Sequence, residues 1–141
     1  MLDVDDFKRA NDGMGHAAGS ELLRTLATML STAVRSVDVV ARIEDRDPIA
    51  VVGRYGGDEF EIVLPDTGAE GLAVVAERIL EAMRSTSFPS GDSSCQVTVS
   101  IGGASFPGNA TSARELMQRA DDALYQAKQA GKNRYQAYAS P

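Results

Sequence analysis

Apolar residues recur at helical spacing in two long stretches of the chain. They occupy positions 22, 23, 26, 29, 30 and 34 in the first stretch, and 72, 75, 79, 80 and 83 in the second. Because residues three or four apart share one face of a helix, each stretch predicts a helix with a buried face. A third helix is predicted to begin at Ser112, whose spacing to Glu115 is that of a capping box, and to end near Gly131.

Strand-like runs lie between and beside these helices. They cover residues 1–5, 37–43, 49–55, 59–65, 95–106 and 133–139, and the run at 95–106 is predicted to be interrupted at Gly102 and Gly103. Residues 5–20 and 88–94 are polar and contain glycine, so both stretches predict loops. VVAR at 39–42 and VVGR at 51–54 look like alternative starts of the same strand. With these two counted as one, the order β-α-β-β-α-β-α-β indicates an α/β (α+β) fold with a mixed sheet, close to the ferredoxin-like pattern.

The stretch VVGRYGGDEFEIVLP, residues 51–65, predicts a β-hairpin. Gly56 and Gly57 would form a two-residue loop, in which glycine adopts positive φ without strain and leaves backbone amides open to a phosphate. After the loop, period-two alternation predicts a core-facing set and a mostly acidic set. The core-facing set is Phe60, Ile62 and Leu64, and the other set is Glu59, Glu61 and Val63. In this alternation, Asp58 belongs to the core-facing set, and it lies next to the turn, where the core face ends.

Composition and charge narrow the possible partners. The chain has 141 residues, of which 43% are hydrophobic and 24% are charged, and these values predict one globular domain over residues 1–141. The net charge of −6 argues against a nucleic-acid polymer or a membrane surface as partner, but permits a small phosphorylated ligand. The single Cys95 excludes an internal disulfide. With no apolar run of membrane-spanning length and no signal-peptide core, we expect a cytoplasmic protein.

A second carboxylate, Asp3, lies at the end of the first predicted strand. In a β-α-β-β order the first strand can lie beside the third, which would bring Asp3 and Asp58 to one end of the sheet. Two carboxylates with exposed backbone oxygens suit Mg²⁺. The alternative is a plain surface hairpin whose acidic residues serve solubility.

Residues 54–60, RYGGDEF, resemble the signature of the GGDEF family, the diguanylate cyclases, which join two GTP molecules into cyclic di-GMP and release pyrophosphate. Three further stretches support the resemblance: LDVDDFKRANDGMGHAAGS at 2–20, VTVSIGGAS at 97–105 and ADDALYQAKQAGKNR at 120–134. The resemblance implies a nucleotidyl-cyclase palm, in which helices flank a central mixed five-stranded sheet.

The resemblance also implies a metal site. Asp3, the backbone carbonyl of Val4 and Asp58 would bind two Mg²⁺ ions per active site, with Mn²⁺ as an alternative. Asp58 would in addition help to deprotonate the attacking ribose 3′-hydroxyl.

The residues that the resemblance assigns to the substrate are Phe7, Lys8, Asn11, His16, Ser20, Gly56, Gly57, Lys128 and Lys132. Phe7 and Lys8 would hold phosphates, and Lys8 would also be catalytic. Asn11 and His16 would contact guanine, and the two C-terminal lysines would reach the terminal phosphates.

Each of these assignments has a structural alternative. Lys128 and Lys132 lie near a helix C-terminus, where the helix dipole alone favours cations. His16 is compatible with a simple loop, and the sequence at 11–13, Asn-Asp-Gly, is a good turn. The joint occurrence of all these residues in order favours the family interpretation.

Three features depart from the family's pattern. The chain begins inside the family's first strand, so we expect a truncated domain whose full-length protein carries a sensory domain. The product-inhibition motif R-x-x-D occurs at Arg35–Asp38, but seventeen residues rather than five separate it from Gly56, which predicts an added loop at 43–50. Arg35 and Asp38 would form an allosteric site, or would simply be solvated charges. The third departure is Ser20, where the family usually has Asp.

The sequence is compatible with more than one function. Because the product needs two GTP molecules, catalysis implies a two-fold homodimer, which we expect to be transient. The alternatives are a module that binds GTP or cyclic di-GMP without turnover, and a structural dimerisation domain. Ser20 also resembles a subgroup that accepts ATP beside GTP and makes mixed cyclic AMP-GMP.

Overall fold

The structure, a computed structural model, describes residues 1–35, 51–90 and 93–139. The helices are α1 Phe7–Met14, α2 His16–Arg35, α3 Ala69–Ser85 and α4 Ala113–Gln129. The strands are β1 Leu2–Val4, β2 Val51–Arg54, β3 Glu59–Val63, β4 Phe88–Ser90, β5 Ser93–Cys95, β6 Val99–Gly103 and β7 Tyr135–Ala137. The strand predicted at 37–43 and the added loop predicted at 43–50 lie outside the described residues.

The central sheet has five strands in the order β2-β3-β1-β6-β7. All neighbouring pairs are antiparallel except β6 and β7, which are parallel, so the predicted mixed sheet is confirmed. Strand β1 lies in the middle, where Leu2 pairs with Phe60 on one side and with Ile101 on the other. The predicted position of the first strand beside the second strand of the hairpin is therefore confirmed.

The hydrophobic core lies on the sheet face that α2 and α3 cover. The side chains that are at most 2% exposed include Leu2, Val4, Leu22, Leu26, Leu30, Phe60, Val75, Leu80, Met83 and Val99. All of the apolar positions that predicted the first two long helices, except Val34 and Leu72, belong to this core or pack against it. A helix buries one stripe of its side chains in this way.

Helix α4 covers the opposite face and lies unusually close to the sheet at Gly102. A β-carbon at this position would lie 2.0 Å from the Leu124 backbone nitrogen and 2.3 Å from the Ala120 carbonyl oxygen. Only glycine permits this approach, so Gly102 and Gly103 are part of a continuous β6 rather than an interruption of it. The close contact fixes how the middle of α4 sits against the sheet.

The predicted start and end of α4 agree with the structure. The Ser112 side chain accepts a hydrogen bond from the Glu115 amide at 3.2 Å, while Glu115 accepts from the Thr111 amide at 2.7 Å. Gly131 follows the C-cap residue Ala130 and has φ of +111°, a conformation that favours glycine.

Two stretches predicted as loops contain regular structure. Residues 5–20 include α1 and the first turn of α2. Residues 88–94 include β4 and most of β5, and these two strands pair so that Phe88 lies opposite Cys95. Helix α1 has no fully buried residue, and its apolar stripe of Phe7, Ala10 and Met14 is short and only partly buried against the core. Gly15, with φ of +85°, separates α1 from α2.

The prediction of a two-residue loop in the hairpin is wrong. Residues 55–58 separate β2 from β3, and neither Gly56 nor Gly57 has positive φ. The amides of Tyr55 and Gly56 both donate to the Glu59 carbonyl, at 2.9 and 3.3 Å. The Gly56 amide is therefore used inside the turn.

Candidate active site

Asp3, at the end of β1, lies within reach of the charges of Asp58 and Glu59. Asp3 is 8% exposed and lies opposite Glu59 across the β1–β3 ladder, while the Val4 amide donates to the Asp58 carbonyl at 3.2 Å. Burial raises the pKa of Asp3, a hydrogen bond from Lys128 opposes the rise, and the charges of Asp58 and Glu59 raise it further. Asp3 and Asp58 are thus close enough to repel each other.

Glu59 is a member of this cluster that sequence reasoning missed. Its strand parity differs from that of Asp58, and only the register reveals that it shares a sheet face with Asp3. Its carboxylate lies over the turn: a β-carbon built at Gly56 would be only 2.7 Å from Glu59 Oε2. Because this oxygen is the end of a flexible side chain that could move aside, the contact does not by itself require glycine at position 56, and Gly56 has no positive φ.

Arg54 is a second residue that the prediction did not include. Its Nε atom donates to the carbonyls of Gly56 and Gly57, both at 3.1 Å. The guanidinium thus holds the turn that presents Asp58. The signal in the sequence was a cation placed just before the two glycines.

The two predicted phosphate lysines both reach the end of β1. Lys128 Nζ lies 2.9 Å from Asp3 Oδ2, and Lys132 Nζ lies 2.7 Å from Asp6 Oδ1. The hydrogen bond to Lys132 lowers the pKa of Asp6, and the same bond raises the pKa of Lys132. Two lysine–aspartate ion pairs therefore lie at and just after the end of β1.

Asp5 explains why the segment after α4 is held against β1. This buried carboxylate accepts hydrogen bonds from Thr98 Oγ1 and Ser100 Oγ, both at 2.7 Å, and from the Asn133 amide at 3.0 Å. A buried charge is tolerated only when such donors satisfy it. Asp5 therefore positions Lys132, and sequence reasoning assigned it no role.

The predicted guanine-contacting residues form a separate group around the break between α1 and α2. The chain reverses at Gly15, and the Asn11 amide nitrogen then lies 3.0 Å from His16 Nδ1. Asn11 also covers Gly19, where a β-carbon would lie 1.9 Å from Asn11 Oδ1. Ser20 is exposed and lies one helical turn after His16.

Phe7 and Lys8 begin α1, between the carboxylate cluster and the Asn11 group. Phe7 is half-buried against the core, whereas Lys8 is exposed. The role of both residues beside phosphates stays a prediction.

The predicted allosteric pair is only partly within the described residues. Arg35 is the last residue of α2, and Asp38 lies outside the described ranges. The arrangement of this pair stays a prediction.

The donor set at the end of β1 suits a hard divalent cation. Within residues 1–35, 51–90 and 93–139, no three His, Cys, Asp or Glu side chains converge as a ready-made metal cage. Mg²⁺ does not require one, since it is commonly held by one or two carboxylates together with water and substrate phosphates. Asp3 and Asp58, whose charges repel each other here, are the two carboxylates predicted to act in this way, and their role as metal ligands stays a prediction.

Two further observations bear on the surroundings of the site. A cavity of about 670 Å³ opens beside it, and its lining includes Asp6, Arg9 and Lys132. In the described part of the chain, no helix has the length and apolar character needed to cross a membrane.

Comparison with protein families identifies relatives of the whole chain. A family model described as "Diguanylate cyclase, GGDEF domain" matches residues 1–52 and 46–134. The two matches meet close to the stretch where the sequence predicts an added loop.

Curated relatives and solved structures agree with this match. Diguanylate cyclase A of Treponema denticola is 38% identical over 134 residues, which are 95% of this chain and 33% of the relative. The response regulator PleD of Caulobacter vibrioides is 36% identical over 94% of this chain and 27% of its own length. The chain thus spans a third or less of these relatives.

Among solved structures, the GGDEF domain of YfiN (TpbB) from Pseudomonas aeruginosa superimposes with a TM-score of 0.84 at 27% identity, covering 99% of this chain and 80% of that one. The GGDEF domain of DgcB from Caulobacter crescentus, solved in complex with c-di-GMP, gives a TM-score of 0.76 at 31% identity, covering 99% and 75%.

Proposed function

This chain belongs to the GGDEF domain family, and we propose that it is a diguanylate cyclase that joins two GTP molecules into cyclic di-GMP. The observation that carries the proposal is the meeting of Asp3, Asp58 and Lys128 at one end of the sheet, in a chain with an intact RYGGDEF turn. Carboxylates and cations together at one place are what the transfer of a nucleotidyl group from pyrophosphate to a hydroxyl requires.

Asp3, the Val4 carbonyl and Asp58 would hold the divalent cations, with Mg²⁺ favoured by the oxygen donors and Mn²⁺ as an alternative. When bound, these ions neutralise charge on the α-phosphate and lower the pKa of the attacking hydroxyl. Asp58 accepts the proton of the ribose 3′-hydroxyl, whose oxygen then bonds to the α-phosphorus of the other GTP. The bond from that phosphorus to the pyrophosphate breaks, and a second, equivalent step closes the ring.

The cations of the site offset the charge of the triphosphate. Lys8 and the backbone around Phe7 bind phosphate at the start of α1, while Lys128 and Lys132 bind the terminal phosphates. The place of Lys128 supports this role, because its Nζ atom lies 2.9 Å from Asp3 Oδ2, beside the predicted metal site. Gly57 lets the substrate approach the turn closely, and Gly56 makes room for Glu59.

The reaction needs a second copy of the domain. Each 3′-hydroxyl has to face the α-phosphate of the GTP on the other copy, and two-fold symmetry satisfies both requirements at once. We therefore expect a homodimer that forms during turnover. Arg35 and Asp38 would bind the product as an inhibitor in this assembly.

The test is incubation of the protein with GTP and Mg²⁺, followed by identification of products by mass. Cyclic di-GMP and pyrophosphate are expected, and Asp58→Ala should yield neither. Saturable GTP binding without product would indicate a nucleotide-binding regulatory module instead of an enzyme. Absence of both binding and product would indicate a structural domain.

Ser20 supports a second candidate, a cyclase that also accepts ATP and makes mixed cyclic AMP-GMP. An ionised Asp only accepts hydrogen bonds and suits the N1–H and N2–H donors of guanine, whereas the Ser hydroxyl can donate or accept. Ser20 is exposed one turn after His16, on the side of α2 where a base would be recognised. A reaction containing ATP and GTP at equal concentrations should therefore give some mixed product, with GTP still preferred through Asn11.

A further inference from the structure

Lys132 already has an anionic partner that is not part of the predicted metal site. Asp6 Oδ1 lies 2.7 Å from Lys132 Nζ, and the two side chains are 63% and 40% exposed. Both residues line the cavity of about 670 Å³, so the ion pair faces open space that a phosphate could enter. An incoming phosphate would meet a cation whose charge is locally neutralised.

The ion pair is held by the backbone on both sides. Asp6 and Lys132 have φ of +55° and +61°, so neither segment has the conformation of an ordinary helix or strand. The Asp5 carboxylate bonds to the Asn133 amide at 3.0 Å and ties the two segments together. Asp6 makes no hydrogen bond that caps α1 and points its side chain at Lys132 instead.

The two lysines differ in what their carboxylates can do when the nucleotide arrives. Asp3, the partner of Lys128, is an expected metal ligand, so cation binding would draw its charge away from Lys128. Asp6 is not an expected metal ligand, and although the charge of Arg9 also acts on it, its ion pair is with Lys132. Its charge therefore remains beside Lys132 and repels the terminal phosphates.

We propose that Asp6 is a specificity-determining residue that competes with the terminal phosphates of the nucleotide for Lys132. This inference rests on the proposed function, since that function brings the terminal phosphates to Lys132. Asp6 lowers the affinity for triphosphates and for the released pyrophosphate, but not for a nucleoside monophosphate, which lacks the groups that Lys132 contacts. Asp6 thereby limits how tightly the leaving pyrophosphate is retained.

The test compares wild type with Asp6→Asn, because Asn also adopts positive φ readily and preserves the shape of the side chain. Calorimetry with Mg²⁺ present would measure the dissociation constants of inorganic pyrophosphate, GMP and a GTP analogue whose α–β bridging oxygen is replaced by a methylene group. Pyrophosphate and analogue should bind about two- to fivefold more tightly to Asp6→Asn, the range of an exposed ion pair. GMP should bind equally to both proteins.

Two controls separate competition at Lys132 from a general change in charge. Asp12→Asn removes one exposed negative charge from the same helix and should leave all three dissociation constants unchanged. In a Lys132→Gln background, Asp6→Asn should no longer strengthen binding, because the contested cation is absent.

The outcomes also separate this inference from the proposed function. Equal pyrophosphate and analogue affinities in wild type and Asp6→Asn would overturn the inference even if cyclic di-GMP forms. Selective strengthening in a protein that makes no cyclic di-GMP would support the inference while refuting the cyclase. If neither protein binds pyrophosphate or the analogue, both proposals are wrong.

Discussion

The two ends of the candidate site are held in place by different kinds of contacts. The phosphate end is the part of the site around Asp5, Lys128 and Lys132. There, the buried Asp5 carboxylate accepts one hydrogen bond from β6, one from the residue that precedes β6 and one from the segment after α4. At the base end, Asn11 and His16 share one hydrogen bond between exposed side chains. The first set of contacts joins distant parts of the chain, and the second joins neighbours.

This difference shows which part of the site can change at little cost to the fold. A buried carboxylate that loses its donors destabilises the protein, so the phosphate end is tied to folding. Exposed polar residues on a helix contribute little to stability, so the base end can be altered with small structural effect. The position of Ser20 at the exposed base end is consistent with base choice being the more easily changed property.

The largest effect is expected at the phosphate end from Asp58→Ala. Loss of a proton-accepting carboxylate should lower the rate of cyclic di-GMP formation by about a hundred- to ten-thousandfold, and loss of a metal ligand should lower it further. The melting temperature should not fall, because the change also removes repulsion with Asp3. Asp66→Asn, at the other end of the hairpin strand, is the matched control and should retain full activity. Near-normal turnover in Asp58→Ala would remove Asp58 from the mechanism.

The next effect concerns the contact that positions α4. Gly102→Ala should lower the free energy of unfolding by about 3 kcal/mol, because its β-carbon would overlap backbone atoms of α4 that cannot rotate away. Gly53→Ala is the matched control, since nothing lies within 4 Å of a β-carbon at that strand position. Chemical denaturation of both variants measures the difference. Equal stabilities would mean that α4 does not depend on Gly102.

The comparison between the two ends is tested directly by Asp5→Asn and Asn11→Ala. Asp5→Asn removes the buried charge that three donors face, and should lower the free energy of unfolding by about 2–3 kcal/mol. Asn11→Ala removes an exposed contact and should change it by less than about 1 kcal/mol. Urea titrations with a common slope provide the measurement. A larger loss of unfolding free energy in Asn11→Ala than in Asp5→Asn would mean that the base end, and not the phosphate end, is tied to folding.

The smallest effect is expected from Ser20→Asp. A carboxylate facing the guanine donors should raise the preference for GTP over ATP by about tenfold, which corresponds to roughly 1.4 kcal/mol. The measurement is the ratio of cyclic di-GMP to mixed product at equal nucleotide concentrations. Exclusive formation of cyclic di-GMP by the wild type, with no shift in Ser20→Asp, would remove Ser20 from base selection.

Much of the fold could be predicted because its signals are local. The apolar stripes of α2 and α3, the Ser112 cap and the glycine after α4 each lie within a few residues of one another. Helix α1 was missed because its apolar stripe of Phe7, Ala10 and Met14 is short and only partly buried. The loop at Gly56 and Gly57 was misjudged because a glycine pair suggests positive φ, whereas neither glycine adopts it in this four-residue turn.

The sequence by itself determined the family, the mixed five-stranded sheet and the identity of the residues proposed to act, because motif and periodicity are properties of neighbouring residues. Only the tertiary structure decided that Glu59 faces Asp3, that Asp5 holds the segment after α4, and that Asp6 pairs with Lys132. The Asp5 and Asp6 contacts join residues 93 to 128 positions apart in the chain. The order of the strands and the approach of α4 at Gly102 set which of these charges meet, and neither is encoded in the spacing of any one segment.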